Sequence, residues 1–185
     1  MSISRKVVDH IVSKIGKNKV ILLFGTRRVG KTYLIKEIEK DLTVPFLHLN
    51  AEDHDVQQLL ANRSVANYKR LIGTARLLVI DEAQVIPDIG KILKLMIDEL
   101  DSLTIIATGS SAFDLNNLAG EPLTGRNFTF HLYPIAQSEL SEKENLLQVQ
   151  QSLEERLIYG SYPELFNLDT LEEKADYLKE LVNSY

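Results

Sequence analysis

Apolar positions follow two alternating rhythms along the chain. Val20 to Phe24 form a short run without a polar residue that ends at Gly25, the pattern of a strand buried on both faces. From Gly30 onward the apolar positions Leu34, Ile35, Ile38 and Leu42 take helical spacing. "VPFLHLN" (Val44 to Asn50) and "ARLLVID" (Ala75 to Asp81) predict a second and a third strand, separated by a polar, partly helical segment. Ile89, Ile92, Leu93, Met96, Ile97 and Leu100 recur at i, i+3, i+4, i+7, i+8 and i+11, an amphipathic helix whose stripe reads as core packing. "LTIIATG" predicts a fourth strand. In "NFTFHLY", Phe128, Phe130 and Leu132 alternate with polar residues and predict a fifth strand at a sheet edge. Strands alternating with helices imply an α/β fold with a mostly parallel sheet covered on both faces. Beyond Pro134 helical signals replace strand signals, at Leu153, Leu157 and Ile158 and then at Leu171, Ala175, Leu178 and Leu181. A boundary is placed near residue 136, dividing a core of residues 1–136 from a small helical segment of residues 137–185.

Composition narrows the possibilities. With 185 residues, 44% hydrophobic and 25% charged, the chain can bury one core and an appendage. A net charge of -5 and a pI near 5.4 argue against a basic surface dedicated to nucleic acid. The absence of cysteine excludes disulfides and thiolate metal sites, and a cytoplasmic setting is expected. The N-terminal "MSISRKVVDHIVSKIGKNKV" lacks the apolar core of a signal peptide, and no stretch approaches the roughly 20 apolar residues of a membrane span. His48 and His54, with Glu52, Asp53 and Asp55 nearby, lack a well-spaced third ligand and are not read as a metal site.

The junction "GTRRVGKT" carries the chemistry. Gly25, Gly30, Lys31 and Thr32 satisfy G-x-x-x-x-G-K-[ST], a phosphate-binding loop between a strand and a helix. Its glycines let the backbone turn successive N–H groups onto phosphate oxygens, and the following helix adds the positive end of its dipole. The whole loop, Gly25, Thr26, Arg27, Arg28, Val29, Gly30, Lys31, Thr32 and Tyr33, is expected to hold the nucleotide. Lys31 supplies a charge to the phosphates and Thr32 a hydroxyl for Mg²⁺. Arg27 and Arg28 either touch the γ-phosphate, another subunit or nucleic acid, or face solvent. In "LLVIDEAQ", Asp81 ends a buried strand, placed to hold the hydration shell of Mg²⁺, and Glu82 follows as a base for an attacking water. A water-activating acid suits hydrolysis better than transfer to an acceptor. The fourth strand ends in "ATGSSAFDL", where Thr108, Ser110 or Ser111 offers a hydroxyl to the γ-phosphate or the water, unless Ser110 or Ser111 caps a following helix.

In combination, "GTRRVGKTYL", "LLVIDEAQ", "IIATGSSAFDL", "LTGR" and "LYPIAQSEL" resemble the prokaryotic AAA+ ATPases of the AAA_14 type, over about residues 15 to 140. "YGSYPEL" resembles the opening of the DUF4143-type domain that usually follows. The resemblance implies a P-loop NTPase fold with the strand order 5-1-4-3-2. It implies Lys31 and Thr32 as Walker A residues, Asp81 and Glu82 as Walker B residues, and Ser110 or Thr108 as sensor 1. It also suggests Arg126 as an arginine reaching a neighbour's γ-phosphate in a homo-oligomer, against the alternative of a loop-anchoring arginine. Arg156 is the nearest candidate for a sensor 2 arginine. Because the family continues well beyond the length of this chain, an N-terminal fragment is expected. The expected activity is Mg²⁺-dependent ATP hydrolysis coupled to movement of an attached domain, a neighbouring subunit or a protein partner. The alternative is a nucleotide-gated protein- or DNA-binding module with negligible turnover, although the acidic balance of this chain gives DNA no support.

Overall fold

The computed structural model describes residues 3–110, 123–141 and 143–183. In chain order the elements are α1 (Val7–Val12), β1 (Val20–Gly25), α2 (Lys31–Lys40), β2 (Phe46–Asn50), α3 (His54–Ala61), α4 (Val65–Ile72), β3 (Leu77–Asp81), α5 (Ile89–Glu99), β4 (Thr104–Gly109), β5 (Asn127–Leu132), α6 (Gln137–Leu140), α7 (Leu146–Tyr159) and α8 (Leu171–Asn183). The 3₁₀ turns Ala83–Val85 and Pro163–Asn167 follow β3 and α7. Five strands form one sheet in the order β2-β3-β4-β1-β5, and every neighbouring pair is parallel. This is the order 5-1-4-3-2 counted from the other edge.

The apolar runs sort by position in the sheet. β1, β3 and β4 are buried along their whole length because each lies between two strands and under two helical layers. Val20, Leu22 and Phe24 join the core formed with α3, α4 and α5, whereas Ile21 and Leu23 join the opposite core formed with α1 and α2. β2 and β5 are the edges, and β5 is half exposed as its alternation predicts. β2 starts at Phe46 rather than Val44. Pro45 has no N–H for a ladder, and its carbonyl instead accepts the N–H of Arg76 at 2.8 Å.

Periodicity and packing part company in the helical segment. The stripe Leu171, Ala175, Leu178 and Leu181 gives α8 its helical signal; in the structure Lys174, Tyr177 and Leu181 are the buried residues and Leu171 is 54% exposed. The reason is the docking surface, which is a turn around Leu165 and a polar loop at Arg28 rather than an apolar sheet. α7 buries none of its side chains, and Leu146, Leu157 and Ile158 face outward. The helix expected to begin at "SAFDLNNL" and the hydroxyl of Ser111 fall outside the described residues.

Glu139 fastens the start of the chain to the start of this segment. Its carboxylate accepts hydrogen bonds from the N–H groups of Lys6 and Ala136, both at 2.9 Å, and from Arg5 Nε at 3.2 Å. Arg5 also donates to the carbonyls of Tyr133 and Val29. Burial alone would raise the Glu139 carboxyl, but the two backbone N–H groups and the Arg5 guanidinium outweigh it and hold it below the ordinary carboxylate range. A folded value below the unfolded one stabilises the protein above the unfolded pKa, near 4.3, and the contribution disappears as pH falls through the folded value. Glu139→Gln replaces one acceptor oxygen with an NH₂ facing N–H groups. It is expected to cost about 1–3 kcal/mol at neutral pH and to flatten the acid limb of stability, read as urea midpoints from neutral pH into the acid range.

Candidate functional site

Because all strands are parallel, the ends of β1, β3 and β4 share one rim. There Gly25 makes the loop possible: a Cβ on it would stand 2.7 Å from the Leu132 carbonyl and 2.8 Å from Val29 Cγ1. The buried Val29 side chain pins the loop to the core beneath. Arg28 and Gly30 have φ of 61° and 101°, left-handed conformations that curl the backbone toward a concave run of N–H groups. Gly30 caps α2, whose first residues are Lys31, Thr32 and Tyr33.

Lys31 is 5% exposed and turned back onto its own loop, donating to the carbonyls of Gly25 at 3.0 Å and Thr26 at 3.3 Å. Its Nζ lies 3.9 Å from Glu82 Oε1. Burial pulls the ammonium below the ordinary lysine range, against the upward pull of the Glu82 and Asp81 carboxylates. A phosphate placed here would give it a fuller counter-charge. Thr32 Oγ1 donates to Asp81 Oδ2 at 2.7 Å, and the Thr108 hydroxyl donates to Asp81 Oδ1. Thr108 Oγ1 also accepts the Glu82 N–H at 3.0 Å. Of the candidate hydroxyls Thr108 and Ser110, it is therefore Thr108 that touches the acidic pair. Ser110 stands two residues further on, half-buried.

Around these groups opens a cleft of about 1300 Å³. Arg27, Arg28, Lys31 and Thr32 line it on the core side, and Glu164, Glu173, Asp176 and Glu180 line it from the helical segment. Among the described residues, contacts also join the phosphate loop to the helical segment. Arg28 Nη2 donates to Glu180 Oε1 at 2.6 Å with its guanidinium over the Tyr177 ring, and the Tyr162 hydroxyl donates to Thr26 Oγ1 at 2.9 Å. Neither tie has a local sequence signal, since the partners lie 152 and 136 residues apart. Gln84 is a further cleft residue that motif spacing passes over, and its Nε2 donates to Glu82 Oε2.

Two expected site residues lie elsewhere. Arg126 precedes β5 at the opposite rim, where its carbonyl accepts the Val20 N–H at 2.9 Å and its Nε donates to Asp98 of α5 at 2.6 Å. The length of β1 puts that rim ~17 Å from Gly25 at ~3.3 Å per residue, so Arg126 cannot reach the phosphate loop of its own chain. Arg156 is taken up by Gln137 and Glu144 and packs over Phe166. It ties α7 to α6.

A family model described as an AAA domain, AAA_14, matches residues 17–141. A protein of Methanocaldococcus jannaschii described as uncharacterised is 26% identical over 197 residues, covering 96% of this chain and 43% of its own length. One of Mycobacterium tuberculosis, also described as uncharacterised, is 36% identical over 108 residues, covering 58% of this chain and 23% of its own length. The chain thus spans less than half the length of these relatives. Among solved structures, the Aeropyrum pernix ORC1 protein in complex with DNA superposes with a TM-score of 0.52 at 16% identity, over 84% of this chain and 50% of that one. The Pif1 helicase of Candida albicans gives 0.52 at 13%, over 83% and 44%. A DNA replication initiation factor gives 0.52 at 17%, over 97% and 57%. At these identities the likeness carries the fold and nothing further.

Proposed function

The chain belongs to the AAA_14 family of AAA domains, and on that premise we propose that it is a Mg²⁺-dependent ATPase whose turnover moves the helical segment after residue 136. The observation that carries this reading is the meeting of Lys31, Thr32, Asp81 and Glu82 at one rim, at the mouth of a cleft large enough for a nucleotide.

The curled loop and Lys31 would bind the phosphates. Thr32 Oγ1 and the Asp81 carboxylate, 2.7 Å apart, form the small set of hard oxygen donors that Mg²⁺ uses beside phosphates and waters. Bound there, the ion would neutralise charge on the β- and γ-phosphate oxygens. Glu82 would take a proton from water as the water oxygen bonds to the γ-phosphorus. The bond from that phosphorus to the bridging oxygen breaks, and its electron pair leaves with ADP. Phosphate release from Mg-ATP, with a Glu82→Gln variant beside the wild type, tests this chemistry.

Coupling to the helical segment would run through Arg28. The residue belongs to the phosphate loop, yet its charge is spent on Glu180 and Tyr177 of α8. A triphosphate entering the cleft competes with Glu180 for Arg28 and meets the acidic wall of the same helix, so α8 must shift. Glu180→Gln removes that competitor. Its side chain is 64% exposed and that of Arg28 45%, so stability should change little. ATP affinity is expected to tighten by up to about fivefold, because the carboxylate that competes with the phosphates for Arg28 is gone. A nucleotide titration that gives equal Kd values for both proteins removes this tie from the mechanism.

A further inference from the structure

The two oxygens of the Glu82 carboxylate are held differently. Oε1 faces Lys31 at 3.9 Å, whereas Oε2 accepts a hydrogen bond from the side-chain amide of Gln84. Glu82 itself is left-handed, with φ 53° and ψ 40°, an uncommon conformation for a residue with a long side chain. Its N–H is taken by Thr108. The backbone turn thus fixes where the side chain leaves the end of β3, and Gln84, on the 3₁₀ turn that follows, meets it within the same cleft.

Gln84 does this at a cost to its own hydrogen bonding. Its Oε1 is buried and has no hydrogen-bond partner. It lies against Gly109 at the end of β4, where a Cβ would come within 3.3 Å of it. Turning the amide over would set its oxygen against the Glu82 carboxylate, acceptor to acceptor, so the carboxylate dictates the orientation. A buried acceptor without a donor is unfavourable, and a glutamine whose task was packing would be served by an apolar side chain of the same length. What the amide supplies is the grip on Glu82.

We propose that Gln84 is a positioning residue for hydrolysis, holding one oxygen of Glu82 so that the other stays aimed at the phosphate lysine and the attacking water. The proposal rests on Glu82 being the base. Without the amide, the carboxylate is free to turn both oxygens onto Lys31, whose Nζ already lies 3.9 Å from Oε1, and the base leaves the line of attack. The bare α-carbon of Gly109 makes room for the amide in the gripping position.

The test is a double-mutant cycle on phosphate release, with ATP binding measured in parallel. Gln84→Met keeps the length and removes the donor. It is expected to lower kcat by roughly 10²-fold, the loss associated with a misplacement of about 1 Å, with the Kd for ATP unchanged. In a Glu82→Gln background the same substitution should cost nothing more, because no carboxylate remains to be held. Gly109→Ala leaves the amide chemically intact and presses on it, so a smaller loss of kcat with the fold kept is expected, and it serves as the second variant if Gln84→Met proves unstable. The positioning role is overturned if the Gln84 variant turns over like wild type, or if it loses as much in the Glu82→Gln background as alone. If wild type and Glu82→Gln release phosphate equally, the base assignment itself fails and the inference goes with it.

Discussion

Glu82→Gln is expected to slow phosphate release from Mg-ATP by roughly 10²- to 10⁴-fold, the range contributed by a positioned general base, while ATP still binds. Glutamine has the length and shape of glutamate, so the left-handed turn at residue 82, its N–H bond to Thr108 and the packing around it persist. What is lost is the capacity to take a proton. Lys31, Thr32 and the loop backbone are untouched, and these are the groups expected to hold the phosphates. Removing the carboxylate also frees Lys31 from a counter-charge 3.9 Å away, so nucleotide affinity should hold or tighten. The measurement is single-turnover hydrolysis beside equilibrium binding. Equal rates would mean that another group activates the water. Loss of both rate and binding would mean that the substitution had damaged the loop.

Arg126→Ala should produce an effect as large, but only where chains meet. Its guanidinium stands on the rim opposite the phosphate loop, 42% exposed and held by Asp98. If it completes a neighbour's site, the specific rate of wild type climbs with protein concentration and the variant loses ~10³ to 10⁵ of that rate, as arginine fingers do. Complementation makes the test sharp. Arg126→Ala has an intact pocket and no arginine, whereas Lys31→Ala has the arginine and a crippled pocket. Mixed, they should recover turnover that neither has alone. A mixture no faster than the sum of its parts, or an Arg126→Ala variant as fast as wild type at every concentration, would make Arg126 an anchor between α5 and β5.

Local motifs account for what the chain discloses without coordinates. Gly25 to Thr32 spans one turn, and Asp81 and Glu82 end one apolar run, so spacing alone groups them. The same holds for the buried strands, whose apolar runs need only a neighbour on each side. The choice between Thr108 and Ser110 is different in kind. It depends on the register that pairs Ile80 with Ala107, and that register is what brings Thr108 onto Asp81. Gln84 escapes notice because its role depends on the left-handed backbone at Glu82 that turns the two side chains toward each other. Periodicity marks α8 as a helix but does not name the residues it buries here, because it scores apolar residues, whereas the surface met by this helix includes an arginine. Tyr177 suits that surface through its ring and Lys174 through its stem, with the ammonium reaching Glu155.

β1 is paired along its length with β4 on one side and β5 on the other, and each of its six residues is buried. Amide hydrogens in such a strand exchange only when the whole domain opens, whereas the half-exposed Arg28 and Glu180 belong to contacts that break in local fluctuations. The phosphate loop is therefore clamped at its upstream end in a fully buried strand, continues at its downstream end into α2, and touches α8 through the exposed side chain of Arg28. If nucleotide binding moves α8 as proposed, deuterium-uptake measurements with and without nucleotide should show changes gathered around α8 while β1 stays silent.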